Sequence, residues 1–397
     1  MAARTGTVVV AVNYRLGPFG FLGHPALTAE DPRHRSSGNY GFLDQRTALQ
    51  WIRDNIAAFG GDPRRVAIAG QSAGAHSVSL HLVSPGSAGL FERAIMQSGF
   101  ASTRWRTLAD AESQGHELAT ALGCSDASYV ITCLRSKTAE EVLLALPSGQ
   151  HQIAETARAT WGPVVDGVEI PDQPRTLYER GSFRHVPVIL GTVRDEGWEY
   201  VNRSFPAGLS RAVYAATVEA EFGSADVAAI LAMYPDSDFA SPMDALARLT
   251  GDVEAVCEAR RMADLVERTD TPVYLYSFDR QPAPPVRGIA FHGRDTNFVF
   301  GNNFERPAYA LDARDLALSA AMSAYWARFA AAGDPNGDHR APLVWPVVHR
   351  RGDGTVGPQL MLDEPSRIGD HPREKACRFW QRFFFSSAVG SVPAYSR

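Results

Sequence analysis

The first strong pattern in the chain is an apolar run, Val8-Val9-Val10-Ala11-Val12, entered through Gly6-Thr7 and closed by Asn13. Four valines in five residues predict a buried strand. A glycine-rich stretch (Gly17–Gly23) and a polar loop (Asp31–Gly38) follow. From Leu43 to Phe59, the residues Leu43, Ala48, Trp51, Ile52, Ile56 and Phe59 recur near helical spacing. They predict an amphipathic helix, stopped by Gly60-Gly61-Asp62-Pro63. Arg65–Ala69 reads as the next strand and Ala73–Leu82 as the next helix. Further strands are predicted at Ala94–Gln97, Val186–Gly191 and Val273–Phe278, and a helix over Leu316–Ala332 ends at Gly333-Asp334-Pro335. This alternation predicts an α/β fold, a mostly parallel sheet with helices on both faces. Residues 205–270 are alanine-rich and helical in pattern. No Gly/Ser-rich or Pro-rich linker isolates them, so they read as a helical insertion in one domain spanning 1–397.

Composition narrows the function classes. The chain has 397 residues, 45% hydrophobic and 21% charged, with a formal net charge of −5. A weakly acidic chain carries no electrostatic footprint for nucleic acid. No apolar run reaches the 18 or so residues of a membrane span. Val8–Val12 is too short for a signal-peptide core and has no cleavage site after it, so no signal peptide is read. Lysine occurs only at Lys137 and Lys375, a coding bias without functional weight. The four cysteines, Cys124, Cys133, Cys257 and Cys377, form no CxxC pair, which argues against a zinc site.

The sharpest chemical signal is Gly70-Gln71-Ser72-Ala73-Gly74. Alone, a GxSxG pentapeptide is weak. Here it lies between a predicted strand and a small-residue helix, the setting of a nucleophile elbow. The helix N-terminus would aim free N–H groups at the serine oxygen. The plain alternative is a serine N-cap between two glycines. A nucleophilic serine needs a base and an orienting carboxylate, in the chain order serine, acid, histidine for this fold class. Among eleven histidines, His292 follows the Val273–Phe278 strand within Gly288–Gly293. Asp195 and Glu196 both follow the Val186–Leu190 strand, and position does not separate them.

These motifs, taken with others, resemble the type-B carboxylesterase family, which includes cholinesterases and bacterial carboxylesterases; the arginine bias looks bacterial. Asn13-Tyr14-Arg15-Leu16-Gly17, Gly38-Asn39-Tyr40-Gly41, Leu43-Asp44-Gln45, Trp51–Ile56 and Phe59-Gly60-Gly61-Asp62-Pro63 match its pattern in order. So do Gly70–Gly74, Gln97-Ser98-Gly99, Pro163–Gly167, Asp195-Glu196-Gly197 and Phe298–Gly301.

The resemblance implies an α/β-hydrolase fold and a serine carboxylic-ester hydrolase acting on a small-molecule ester, with no metal or organic cofactor. It implies Ser72 as nucleophile, His292 as base and Glu196 as acid. Ser98 is implied to be a buried serine near these three. Cys124–Cys133 and Cys257–Cys377 are implied disulfides, which would favour a secreted or extracytoplasmic setting; four reduced thiols are the alternative. Gln71, Trp105 and Trp161 are implied to line the substrate site. Ala157 and Ala159 stand where acetyl-selective members carry phenylalanine, which predicts room for larger acyl groups. Cholinesterases place a glutamate at the position of Gln71, so a preference for choline esters is not expected.

Family members carry a long segment ahead of this chain's first residue, with a His-Gly-Gly-Gly loop that supplies oxyanion-hole donors. In this sequence only the Ala73 N–H is recognisable as such a donor. Losing one donor costs about 10²–10³ in turnover, so impaired activity is an expectation. With the three catalytic residues intact, a shortened start is the favoured reading. An inactive fragment and a non-catalytic cholinesterase-like binding protein are the alternatives.

Overall fold

The computed structural model describes residues 1–101, 104–146, 161–281, 289–302, 311–337, 343–352, 354–370 and 373–385, without the side chains of 382–385. In chain order its strands are β1 (Ala67–Gln71), β2 (Arg93–Gln97), β3 (Arg106–Thr107), β4 (Val164–Val165), β5 (Val188–Val193) and β6 (Val273–Phe278), then β7 (His349–Arg350), β8 (Val356–Gly357), β9 (Gln359–Leu362) and β10 (Arg367–Gly369). Six of them form one sheet in the order β1-β2-β5-β6-β9-β10. Neighbours from β1 to β9 pair in parallel, and β10 closes the far edge antiparallel to β9.

The central strands β2, β5, β6 and β9 are buried on both faces, as a parallel sheet with crossover helices requires. Side chains alternate between two cores. Ala94, Met96, Val188, Leu190, Val273 and Leu275 pack on one face with Val78 and Met262. Ile95, Ile189, Tyr274, Tyr276 and Phe278 pack on the other with Met322 and Trp326. The period of two along each strand therefore separates the two layers, and the mostly parallel sheet expected of an α/β-hydrolase is present.

Two expectations are corrected. Residues 8–12 form no strand, and Val8, Val9 and Val10 are 40–45% exposed. A strand exists only through pairing, and among the described residues no backbone hydrogen bond joins this segment to another. The helix predicted over Leu43–Phe59 runs from Tyr40 to Asn55 and ends in a 3₁₀ turn, Ile56–Phe59. Its buried stripe is Phe42, Gln45, Leu49, Ile52 and Ile56, at spacings of three and four. Trp51 and Phe59 instead face outward and pack on each other, with ring centroids 5.6 Å apart.

Residues 205–270 contain the helices Arg211–Phe222, Val227–Met233, Pro242–Gly251 and Cys257–Glu267, with a π-helical turn at Asp252–Val256. Tyr214, Ile230, Leu246 and Cys257 pack there against Cys377 and Trp380 of the C-terminal helix Glu374–Phe385. Two disulfides are present, Cys124–Cys133 and Cys257–Cys377, with Cα atoms 5.6 and 4.9 Å apart. Among the described residues no helix is long and apolar enough to cross a membrane.

Candidate active site

The C-terminal ends of β1, β5 and β6 meet at one side of the sheet, and each delivers one chemical group. Ser72 turns the chain from β1 into the helix Ala73–Val83 with φ 55° and ψ −121°, a backbone conformation rare for a residue with a side chain. Its own N–H donates to the Gln97 carbonyl at 2.8 Å, and its carbonyl accepts from His76 N–H at 3.0 Å. Glycines make the turn possible. A Cβ at Gly70 would lie 2.2 Å from the Gly74 carbonyl carbon, and one at Gly99 would lie 2.4 Å from the Ser72 oxygen. The first glycine of the Gly-x-Ser-x-Gly pentapeptide is thus required by close backbone approach. Strain stored at one serine, held by its surroundings, is a feature of functional turns.

The Ala73 N–H opens the helix and is one of the four donors there without an intrahelical acceptor. Ala73 itself is exposed, beside Ser72.

His292 and Glu196 form the second half of the site. His292 Nδ1 lies 2.6 Å from Glu196 Oε2. Glu196 is 2% exposed, and its other oxygen accepts from the Val193 N–H at 2.9 Å. Gly251 packs directly on it, since a Cβ there would come within 3.1 Å of Glu196 Cβ. Asp195 goes elsewhere: its carboxylate accepts from Ala290 N–H at 3.0 Å and pairs with Arg194 and Arg248. Asp195 and Phe291 also form a parallel bridge, which seats the His292 loop beside the β5 loop. Burial works against a charged imidazole at His292. The charge and hydrogen bond of Glu196, with Asp295 and Glu199 nearby, outweigh burial and hold its pKa above the ordinary value.

The remaining nitrogen, Nε2, does not meet the serine. It lies 3.1 Å from Gln71 Nε2, and among the described residues no hydrogen bond joins it to Ser72 Oγ. Gln71 ends β1, and its carboxamide packs on Gly293, where a Cβ would come within 3.4–3.5 Å of it.

Sequence reasoning missed a buried network behind the histidine. Asp295 is fully buried and accepts from Gln97 Nε2 at 2.9 Å and from the Tyr276 hydroxyl. Trp326 Nε1 donates to the other side of the Gln97 carboxamide at 3.2 Å. Burial pushes the Asp295 carboxyl above its usual range, partly offset by the Tyr276 and Gln97 hydrogen bonds. Only the spacing of three between His292 and Asp295 hinted at it. Ser98 also has a positive φ of 56°, and its buried Oγ has no partner among the described residues.

Trp105 stands beside the nucleophile helix, its ring 5.9 Å from that of His76, one turn after Ser72. The His76 Nδ1 lies 2.8 Å from the Phe100 carbonyl, and burial favours its neutral form. The Trp105 backbone is clamped by the Gln173 carboxamide, at 3.0 and 2.8 Å. Its ring covers Gly162, where a Cβ would lie 2.9 Å away, and half-buried Trp161 is the residue before that glycine. The β3–β4 pairing joins these two stretches. Ala157 and Ala159 lie outside the described residues.

Comparison with known proteins shows the family. The model of the Carboxylesterase family matches residues 1–380. An acetylcholinesterase of Bungarus fasciatus is 34% identical over 404 residues, covering 95% of this chain and 64% of the relative. The chain thus spans about two-thirds of that relative's length, 64%. It belongs to the carboxylesterase family.

Proposed function

We propose that the protein is a serine carboxylic-ester hydrolase that works through an acyl-enzyme on Ser72. The observation that carries this reading is a strained serine elbow and a Glu196–His292 pair standing at the same ends of parallel strands of one sheet. Ser72 Oγ attacks the ester carbonyl carbon while His292 Nε2 takes its proton. Glu196, accepting from Nδ1–H, fixes the tautomer and stabilises the imidazolium. The tetrahedral oxyanion is met by the Ala73 N–H. Collapse breaks the acyl–oxygen bond, and the alcohol leaves with the proton from His292. Water then repeats the sequence with His292 as base, releasing the acid and restoring Ser72.

The substrate is a small-molecule ester. The Trp105 ring, beside the nucleophile helix, offers an aromatic surface suited to an apolar acyl chain, with Trp161 as a second lining residue. With alanine at 157 and 159, acyl groups larger than acetyl are accepted. The neutral Gln71 offers no carboxylate to a cationic alcohol, so choline esters are not preferred. The two disulfides suit an oxidising compartment outside the cytoplasm.

The deciding experiment is hydrolysis of p-nitrophenyl acetate and p-nitrophenyl butyrate by the purified chain and by Ser72→Ala. Butyrate turnover abolished by Ser72→Ala is the expected result. No turnover from a cooperatively folding chain would overturn the reading in favour of a non-catalytic role.

A further inference from the structure

A base that is to activate Ser72 needs a free acceptor, and His292 does not have one in this structure. Glu196 is a carboxylate, an acceptor only, so the imidazole proton sits on Nδ1 and Nε2 carries the lone pair. That lone pair is single and in the ring plane. Gln71 Nε2, 3.1 Å away, can donate to it, and an N–H filling that position leaves nothing for Ser72 Oγ–H. Two features hold Gln71 to the task. It is the last residue of β1, with its backbone fixed opposite Gln97. Its carboxamide also lies beside Gly293, within van der Waals reach of where a Cβ at 293 would stand, 3.4–3.5 Å away.

We propose that Gln71 is a positioning residue that caps the base: its carboxamide N–H occupies His292 Nε2 in the resting protein, and Ser72 gains its proton acceptor only when that carboxamide turns away. The inference rests on the reading of Ser72 and His292 as nucleophile and base. It makes the resting site a closed pair, opened when an ester arriving at Ser72 competes for the Gln71 N–H. The freed carboxamide then has a donor to offer the ester's own oxygens. Gln71 is therefore tied to the chemistry through His292.

A donor on Nε2 favours the neutral imidazole, so the cap lowers the His292 pKa against the groups that raise it. Those groups come from every neighbouring element: Glu196 after β5, Asp295 on the helix that follows His292, and Glu199 on the helix Trp198–Ser204. Tyr200 packs its ring 5.5 Å from His292, and His76 faces it from the nucleophile helix. None of these changes when only the Gln71 carboxamide is replaced.

The test is an NMR titration of the His292 ring nitrogens, assigned by their loss in His292→Gln, in the wild type, Gln71→Met and Gln71→Glu. Gln71→Met keeps the length and removes the donor, so the His292 pKa should rise by about 0.5–1 unit. Gln71→Glu should raise it further, because a carboxylate replaces the donor, and it serves if the methionine variant does not fold. The acid limb of kcat/KM should move the same way. An unchanged or lower His292 pKa in these variants overturns the cap. The titration needs no turnover: a chain silent on p-nitrophenyl butyrate whose titration still moves keeps the cap and loses the esterase reading.

Discussion

Gln97 Nε2 donates to Asp295 Oδ2 at 2.9 Å, while the Gln97 main-chain carbonyl accepts the Ser72 N–H at 2.8 Å. One residue at the end of β2 thus grips both the nucleophile turn and the helix that follows the base. Removing the acceptor in Asp295→Ala strands two buried donors, Gln97 Nε2 and the Tyr276 hydroxyl. Each costs about 1–3 kcal/mol, so urea unfolding should show a loss of about 2–6 kcal/mol. A loss below that range would mean the two donors find other partners.

The role of Glu196 gives a kinetic expectation. Glu196→Gln keeps the shape but can present an N–H to Nδ1 and select the wrong tautomer. Turnover should fall by about 10³–10⁴ with KM little changed. Asp195→Asn, which leaves the His292 contact alone, should cost far less. Equal losses in the two variants would place the orienting acid elsewhere.

The pH profile follows from the sign of the His292 shift. Burial lowers its pKa, but Glu196 more than compensates, so the net value lies above the ordinary 6.5. The base works only when neutral. The acid limb of kcat/KM should therefore have its midpoint above 6.5, rising with pH. A midpoint below that value would contradict the charge balance around the ring.

Asp252 makes a separate prediction about stability. It is 1% exposed, accepts from the Tyr234 hydroxyl at 3.1 Å and lies 3.8 Å from Arg373. Burial pushes its pKa up to about 7, with Arg248 and the Tyr234 hydrogen bond pulling back. A raised carboxyl stabilises the fold while protonated. That stability is complete below the ordinary 3.8 and is lost as pH rises to about 7. Asp252→Asn has no proton to lose, so its advantage over the wild type should grow by up to about 1.4 kcal/mol per pH unit from 4 to 7 and level off above. Unfolding at pH 4.5, 6 and 8 measures it, and a constant difference would refute the buried charge.

The two disulfides should differ in worth. Cys257–Cys377 closes a separation of 120 residues and Cys124–Cys133 one of 9. Chain entropy makes the longer closure worth about 2 kcal/mol more. Paired serine substitutions, compared by denaturant unfolding, should rank them in that order.

Much of this arrangement was legible in the sequence because it is written in local signals. The apolar runs that become β2, β5 and β6, and the Gly70–Gly74 spacing, depend on neighbours close in the chain. Where pairing decides, the pattern misled: Val8–Val12 has strand composition but no ladder partner among the described residues. Trp51 and Phe59 satisfied helical spacing yet satisfy each other outside the core. Strands β9 and β10, short and flanked by charges, carried too weak a signal to be read. In the site, the choice between Asp195 and Glu196 lay beyond position, since both follow the same strand and only the fold says which reaches His292. The Gln97–Asp295 bond and the Gln71 contact join residues about 200 positions apart, 198 and 221, and no local pattern encodes them.

The strand that carries Ser72 is the outermost of its sheet among the described residues, with β2 as its one neighbour. Strands β5 and β6 are gripped from both sides. Ser72 therefore hangs from an edge of the sheet, while the loops of Glu196 and His292 follow strands paired on both sides. Local opening begins where fewest bonds must break. Amide exchange should run faster in β1 than in β5 and β6, so that loss of the serine's strained geometry precedes, and is separable from, loss of the Glu196–His292 pair.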